Sequence, residues 1–327
     1  MKCVITHHDA DSYGGISPEG YQIFYKSING EKLEIHPVIP ILKHQFKEDG
    51  YGVITFEDFT GICEIYEFLP YLFYSPELVK SISFNVAPER RYSHGSSNLC
   101  TIGGFYPFKN LEEISVPNSE IHLADSAFKG CENLTEIILP ETITKIGHSA
   151  FKGCVNLVKI VIPNSVAKIC SAAFAECVNL VDITITSVFE RIDPQDGFFR
   201  FCGLFRGCKS LKNISLPNGI SEIGGYDFSE CECLTDIDIP DSVTRIGMSA
   251  FENCKSLQQI SLPNGIKEIE GNAFRGCVLL WDVRYRGDYK TVKTSQILFD
   301  DTPYKDKFHE LVGSIENVDE QDDFSFN

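Results

Sequence analysis

The chain has 327 residues, 43% of them hydrophobic, with 46 acidic against 29 basic side chains and a net charge of −17. That much apolar surface excludes wholesale disorder. The acidic balance excludes general binding to nucleic-acid phosphates, which needs clustered lysine and arginine.

In chain order, MKCVITHHDADSYGG lacks an apolar run of secretory-signal length, and no run of 18 apolar residues occurs anywhere in the chain. No membrane span is expected. The expected location is the cytoplasm, with a surface or secreted location as the alternative. His7, His8, Asp9 and Asp11 form the most chemically suggestive cluster. The string HHDAD resembles the metal-binding stretch of DHH-type phosphoesterases, in which histidine and aspartate hold a divalent metal. Ser12 and Tyr13 stand where that family has glycine, and no second ligand motif follows. A polar N-terminal loop accounts for the cluster equally well, so no metal or cofactor is expected. Further on, YQIFYKSING and EKLEIHPVIPIL read as a hairpin with Asn29-Gly30 at its turn. YGVITFEDF is a further strand. Residues 1–90 together predict a small α+β domain, and Val79, Ile82 and Phe84 imitate the strand of the repeat that follows, as a degenerate capping coil would.

From there a repeat dominates. Phe128, Phe151 and Phe174 are 23 residues apart, and after a longer step Phe205, Phe228, Phe251 and Phe274 resume the period. A cysteine stands three residues behind each, from Cys131 to Cys277, and a leucine six behind, from Leu134 to Leu280. One such unit cannot bury its own apolar residues, so like residues must stack over like in successive coils of a solenoid. LxxIxLP, as in Leu134 to Pro140, predicts one short parallel strand per coil, ended by a proline that cannot donate to a ladder. ITKIG looks like a second extended edge. AFKGC reads as a short helical turn, with Gly153 or Gly276 supplying an unusual backbone angle.

The composite motif LPxxIxxIGxxAFxGCxxLxxIxL, over about Leu99 to Arg286, resembles the repeat of BspA-like leucine-rich repeat proteins. That resemblance implies a curved β-rich solenoid used for protein binding and, in many members, for adhesion at a cell surface. The repeat solenoid is expected over 91–290, a C-terminal cap with a short helix over 291–315, and an acidic disordered tail over 316–327.

Of the 13 cysteines, seven fall in the repeat column, where they are expected to be reduced, buried and inward-facing. Side chains pointing the same way suit the disulfide dihedral poorly, and a thiol-rich core suits a reducing compartment. Cys202, Cys208, Cys231 and Cys233 have the residue type for zinc. Two of them, however, belong to the inward column, and Cys231 and Cys233 are expected to point different ways.

The partner-binding candidates come from two departures from the pattern. The coil between Phe174 and Phe205 is 31 residues long, and its eight extra residues place Phe198, Phe199, Arg200 and Phe201 in an inserted loop. Insertions in solenoids map to loops that often carry binding; the other reading is a loop that folds back over its own coil. On the outward face of the strands, Ile138 and Val161 are apolar on adjacent coils where solvation calls for polar residues. They form either the centre of a contact patch or β-branched residues suited to a strand. A third column, Lys145, Lys168 and Arg191, stacks three like charges, which either bind an acidic partner or form a solvated face. At the C-terminus Thr302-Pro303 reads as a helix start, with Tyr304, Phe308, Leu311 and Val312 on one face and Gly313 after the end.

No paired catalytic groups appear. The expected function is a non-catalytic scaffold for a protein partner. The alternatives are an adhesin-type surface protein exported without a signal peptide, and an N-terminal metal-dependent enzyme domain targeted by the solenoid.

Overall fold

The structure, a computed structural model, describes residues 2–8, 21–36, 41–46, 51–56, 69–84, 99–117, 120–192, 202–285, 292–294 and 298–304. Five strands precede the repeat: β1 (Lys2–His8), β2 (Tyr21–Ser27), β3 (Ile41–Phe46), β4 (Tyr51–Phe56) and β5 (Val79–Phe84). The first coils then supply β6 (Leu99–Ile102), β7 (Glu113–Pro117), β8 (Glu120–Leu123), β9 (Glu136–Ile138), β10 (Ile143–Ile146), β11 (Lys159–Ile162), β12 (Lys168–Cys170) and β13 (Asp182–Ile185). The later coils supply β14 (Glu190–Ile192), β15 (Asn213–Ser215), β16 (Glu222–Ile223), β17 (Arg245–Ile246) and β18 (Gln259–Ser261). The last are β19 (Glu268–Ile269), β20 (Asp282–Arg284) and β21 (Lys293–Thr294).

These strands stack into a parallel β-solenoid with two ladders. The LxxIxL strands β9, β11, β13 and β15 form the first. Its register keeps like residues together: Ile160 lies beside Ile183, and Val161 beside Thr184. The ITKIG segment builds a second ladder of its own, β6-β8-β10-β12-β14, continued in later coils as β16-β17-β19-β21. Each strand is short because its inward residues alternate with outward ones only until the proline or glycine that turns the corner.

At the corner, the short helical turn expected for AFKGC takes the form of successive β-turns. Lys152 N–H donates to the Ser149 carbonyl, Cys154 to Phe151 and Leu157 to Cys154. Ser149 (φ 54°) and Gly153 (φ 73°) both sit in the left-handed region, which interrupts any α-helix. Freed from helical bonding, the corner amides reach the next coil: Phe128 N–H donates to the Ala150 carbonyl at 2.6 Å and Gly130 to Lys152 at 2.8 Å. The corner is thus a third hydrogen-bonded side of the solenoid.

Inside, the phenylalanines stack face to face. Phe128 and Phe151 have centroids 5.2 Å apart with planes 4° apart, and Phe151 and Phe174 are related by 5.4 Å and 4°. The stack is longer than the run of phenylalanine, cysteine and leucine columns. Phe105 extends it at one end and Phe299 at the other, 5.0 Å from Phe128 and 5.1 Å from Phe274. The cysteine column is buried and free of disulfides, as expected. Each thiol also has a polar duty: Cys154 Sγ–H donates to the Phe128 carbonyl of the preceding coil, and Cys177 to that of Phe151. Burial pushes the Cys154 and Cys231 thiols well above their ordinary range.

The N-terminal strands join the same sheet, in the order β15-β13-β11-β9-β1-β7-β5-β2-β4-β3. Val79 and Ile82 are buried, and β5 pairs in parallel with β7, so this segment joins the ladder. The expected hairpin is corrected. A turn forms at Asn29-Gly30 (Gly30 φ 72°), but β2 pairs antiparallel with β4 and β5 rather than with the segment after the turn. Among the described residues of that segment, Ile35 bridges antiparallel to Phe73, and Ile41 and Leu42 begin β3, which pairs with β4. The second departure is β1, which inserts in parallel between β7 and β9.

Candidate functional surface

The outward face of the first ladder holds the two candidate residues that the structure describes. Lys159 lies beside Glu136, and this register sets Val161 next to Ile138 on the neighbouring strand. Both are exposed, Ile138 by 42% and Val161 by 59%, while their strand neighbours Ile137 and Ile160 are buried. The alternation of a pleated strand dictates this: with the core on one side, every second residue must face water. The inserted β1 places Val4 at the register position beside Ile138. The exposed apolar pair spans β9 and β11, and Thr184 follows Val161 on β13. Sequence reasoning missed the insertion of β1, because β1 carries no repeat signal.

A polar column of alternating charge borders the pair, with Lys159 in register between Glu136 and Asp182. On the far side Thr186 donates its hydroxyl to the Asn164 side-chain oxygen. The arrangement is an apolar centre with a polar rim on a backbone held rigid by the ladder. Such a surface suits contact with another protein better than chemistry on a small molecule.

The basic column on the second ladder is corrected. Lys145 and Lys168 are in register, but the strand after them shifts by one residue, so that Lys168 faces Glu190 and Arg191 faces Ile169. Lys168 Nζ lies 3.6 Å from Glu190. Arg191 turns inward to a nearly buried ion pair with Asp227, their side chains 11% and 7% exposed. Asp227 also accepts from the Leu204 and Gly224 amides at 2.9 and 2.8 Å. Later coils neutralise the same column by alternation, with Arg245 paired to Glu222 at 2.8 Å and Lys293 to Glu268 at 3.1 Å. A continuous basic stripe for an acidic partner does not form.

Between β14 and β16 the second ladder is interrupted, and a cleft of about 410 Å³ opens, lined by Val188, Phe189, Leu216, Ile220 and Glu222 among others. Residues 193–201 fall between its walls in sequence. Phe198, Phe199, Arg200 and Phe201 thus lie outside the described residues, as do Asp9 and Asp11. His7 and His8 belong to β1. Cys208 and Cys231 sit in the buried column, their thiols donating to the Phe174 and Phe205 carbonyls, while Cys202 and Cys233 are half-buried. Among the described residues no three His, Cys, Asp or Glu side chains come together as metal ligands. No helix among the described residues is long and apolar enough to cross a membrane.

The chain is similar to a leucine rich cell surface protein of Faecalibacterium prausnitzii, with 25% identity over 61% of this chain and 60% of that one, at a TM-score of 0.42. A leucine-rich repeat protein of Bacteroides ovatus is 23% identical over 57% of this chain and 64% of that one, with a TM-score of 0.35. The T. pallidum leucine rich repeat protein is 25% identical over 63% of this chain and 74% of that one, with a TM-score of 0.31. The chain spans about three fifths of the length of the first two. No curated protein matches it. The model of the BspA type leucine rich repeat region (6 copies) matches residues 101–204 and 202–302, the stretch in which the phenylalanine, cysteine and leucine columns stack. The chain belongs to the BspA type leucine rich repeat family.

Proposed function

We propose that this protein is a non-catalytic scaffold that binds a protein partner through the outward face of its first ladder, centred on Ile138 and Val161. The observation that carries this reading is the exposure of those two side chains, 42% and 59%, on adjacent strands of a rigid sheet. The equivalent positions of later coils are Ser215, Asp238 and Ser261, so the repeat itself does not call for apolar residues there. An exposed apolar pair inside a polar rim loses water on contact at little ordering cost, because its backbone is already fixed. The segment Phe198, Phe199, Arg200 and Phe201 is proposed as a second contact, on the strength of three aromatic rings and an arginine in an inserted stretch.

The test is affinity capture from native lysate, with the intact chain compared with Ile138→Asp/Val161→Asp and with Phe198→Ser/Phe199→Ser/Phe201→Ser. Each variant is first confirmed folded by circular dichroism. A shared protein partner retained by the intact chain and reduced at least about tenfold by the first variant is the expected result, since one lost hot-spot contact of 1.4 kcal/mol or more has that effect. Equal retention by the intact chain and the first variant would sink the strand-face reading. Loss in the second variant alone would move the site to the inserted segment.

The free thiols of the buried column support a reducing, cytoplasmic compartment for this scaffold. Fractionation of native cells is expected to recover it in the cytosol; recovery from the cell surface would overturn that placement.

A further inference from the structure

The outward face of the first ladder carries one dominant sign of charge around its apolar pair. Its described outward side chains include six acids, Glu113, Glu136, Asp182, Asp236, Asp238 and Asp282, and two bases, Lys159 and Arg284. Lys2 of β1 adds a third base at the register position beside Glu136. Each of these acids flanks a buried ladder residue, from Ile114 and Ile137 to Ile237 and Val283, so strand alternation holds it toward solvent.

The bases do not cancel the acids. Arg284 is engaged by Asp282 at 2.7 Å and by Gln259 at 3.1 Å. Lys159 stands in register between Glu136 and Asp182, one base against two acids. Asp236 and Asp238 belong to the one described coil whose two outward positions are both acidic. Asp238 bridges to Ser261, and the outward residues one coil before are Asn213 and Ser215, so no base occupies the outward positions beside this pair. Among the described residues Asp182, Asp236 and Asp238 form no ion pair. Like charges gathered on one rigid face repel a partner of the same sign and attract one of the opposite sign. A second copy of the chain, at a net charge of −17, meets that repulsion. The apolar pair supplies contact area, and the acids beside it decide the sign of what can approach.

We propose that the partner of this face is a protein segment with a basic contact surface, an inference that rests on the docking role given above to Ile138 and Val161. Apolar side chains of the segment cover that pair. Its lysine or arginine side chains meet Asp182, one coil from Val161, and Asp236 and Asp238, three coils from it. Successive strands lie about 4.8 Å apart, which sets the second basic group roughly 14 Å from the apolar contact.

The test uses two labelled amphipathic peptides with the same apolar pattern, one of leucine and lysine and one of leucine and glutamate. Fluorescence anisotropy measures their binding to the full chain and to three variants checked for unchanged thermal midpoints. Asp182→Asn/Asp236→Asn/Asp238→Asn neutralises the face. Glu34→Gln/Glu77→Gln/Glu132→Gln removes the same charge from exposed sites off the face. Ile138→Ser/Val161→Ser removes the apolar pair and leaves the charge alone. The full chain is expected to bind the lysine peptide more tightly than the glutamate peptide. The first variant is expected to lose at least about threefold in that affinity and the second less, with the loss shrinking as salt rises. Equal losses in these two variants reduce the effect to net charge and overturn the proposal, as does an absence of lysine-peptide binding. Preference for the glutamate peptide that the serine variant abolishes keeps the face as a docking surface but overturns its basic partner. Self-association of the full chain that the serine variant abolishes assigns the face to a second copy and likewise overturns it. Lysine-peptide binding that both face variants leave unchanged overturns the partner and the docking role together.

Discussion

Phe151→Ala is expected to lower the stability of the solenoid by about 3–5 kcal/mol, the range for removing a fully buried aromatic side chain from a packed core. The ring is 0% exposed and stacked on both faces, against Phe128 and Phe174. Its loss removes two ring contacts and leaves a cavity that the neighbouring coils cannot fill. Their spacing is held on three sides, by both strand ladders and by the corner bonds from Phe128 and Phe151 to Ala150 and Ala173. A backbone pinned in this way relaxes little, which puts the cost toward the upper part of the range. Urea unfolding followed by circular dichroism measures it. A loss below about 1 kcal/mol would mean that the stack is not the core that holds the coils together. Phe151→Leu, which keeps most of the buried volume, is expected to cost less.

Asp227→Ala is expected to be comparably damaging, although it restores the residue type found at this place in most coils. Ala127, Ala150, Ala173, Ala250 and Ala273 occupy the position before the stacked phenylalanine, and Asp227 departs from them. The substitution removes the buried carboxylate that pairs with the Arg191 guanidinium and that accepts from the Leu204 and Gly224 amides. Breaking one side of a buried pair costs about 3–5 kcal/mol, because the remaining charge is left uncompensated. The arrangement also requires Gly224, since a Cβ there would collide with the Arg191 guanidinium. The double variant Arg191→Leu/Asp227→Ala is expected to recover most of the loss, since it removes both charges together. Thermal or urea unfolding of the two single variants and the double variant checks this. A double variant as unstable as the sum of the two would show that the residues do not act as a pair.

The two residues of the candidate surface were legible for a simple reason. LxxIxL assigns one face of a strand to the core, and Ile138 and Val161 fall on the other. The columns of phenylalanine, cysteine and leucine were legible because stacking repeats the same environment every 23 residues. The ends of the phenylalanine stack were less so. Phe108 replaces cysteine behind Phe105, and Phe299 follows Phe274 by 25 residues instead of 23. Arg191 was misplaced because a one-residue shift between β12 and β14 reverses which side of the strand faces inward. The period counts residues within a coil and cannot register such a shift.

What the sequence by itself determined is therefore the unit: a coil that cannot bury its apolar residues alone, and that stacks like on like. Nearest-neighbour stacking is local, so it leaves a periodic trace in the chain. Only the tertiary structure decided the features without a period. It inserted β1 between β7 and β9, which brings Val4 into register beside Ile138. It opened the second ladder between β14 and β16, and it drew Arg191 onto Asp227 across the coil boundary. Each of these joins residues from different coils, or from outside the repeat, through pairing and burial that no single coil encodes.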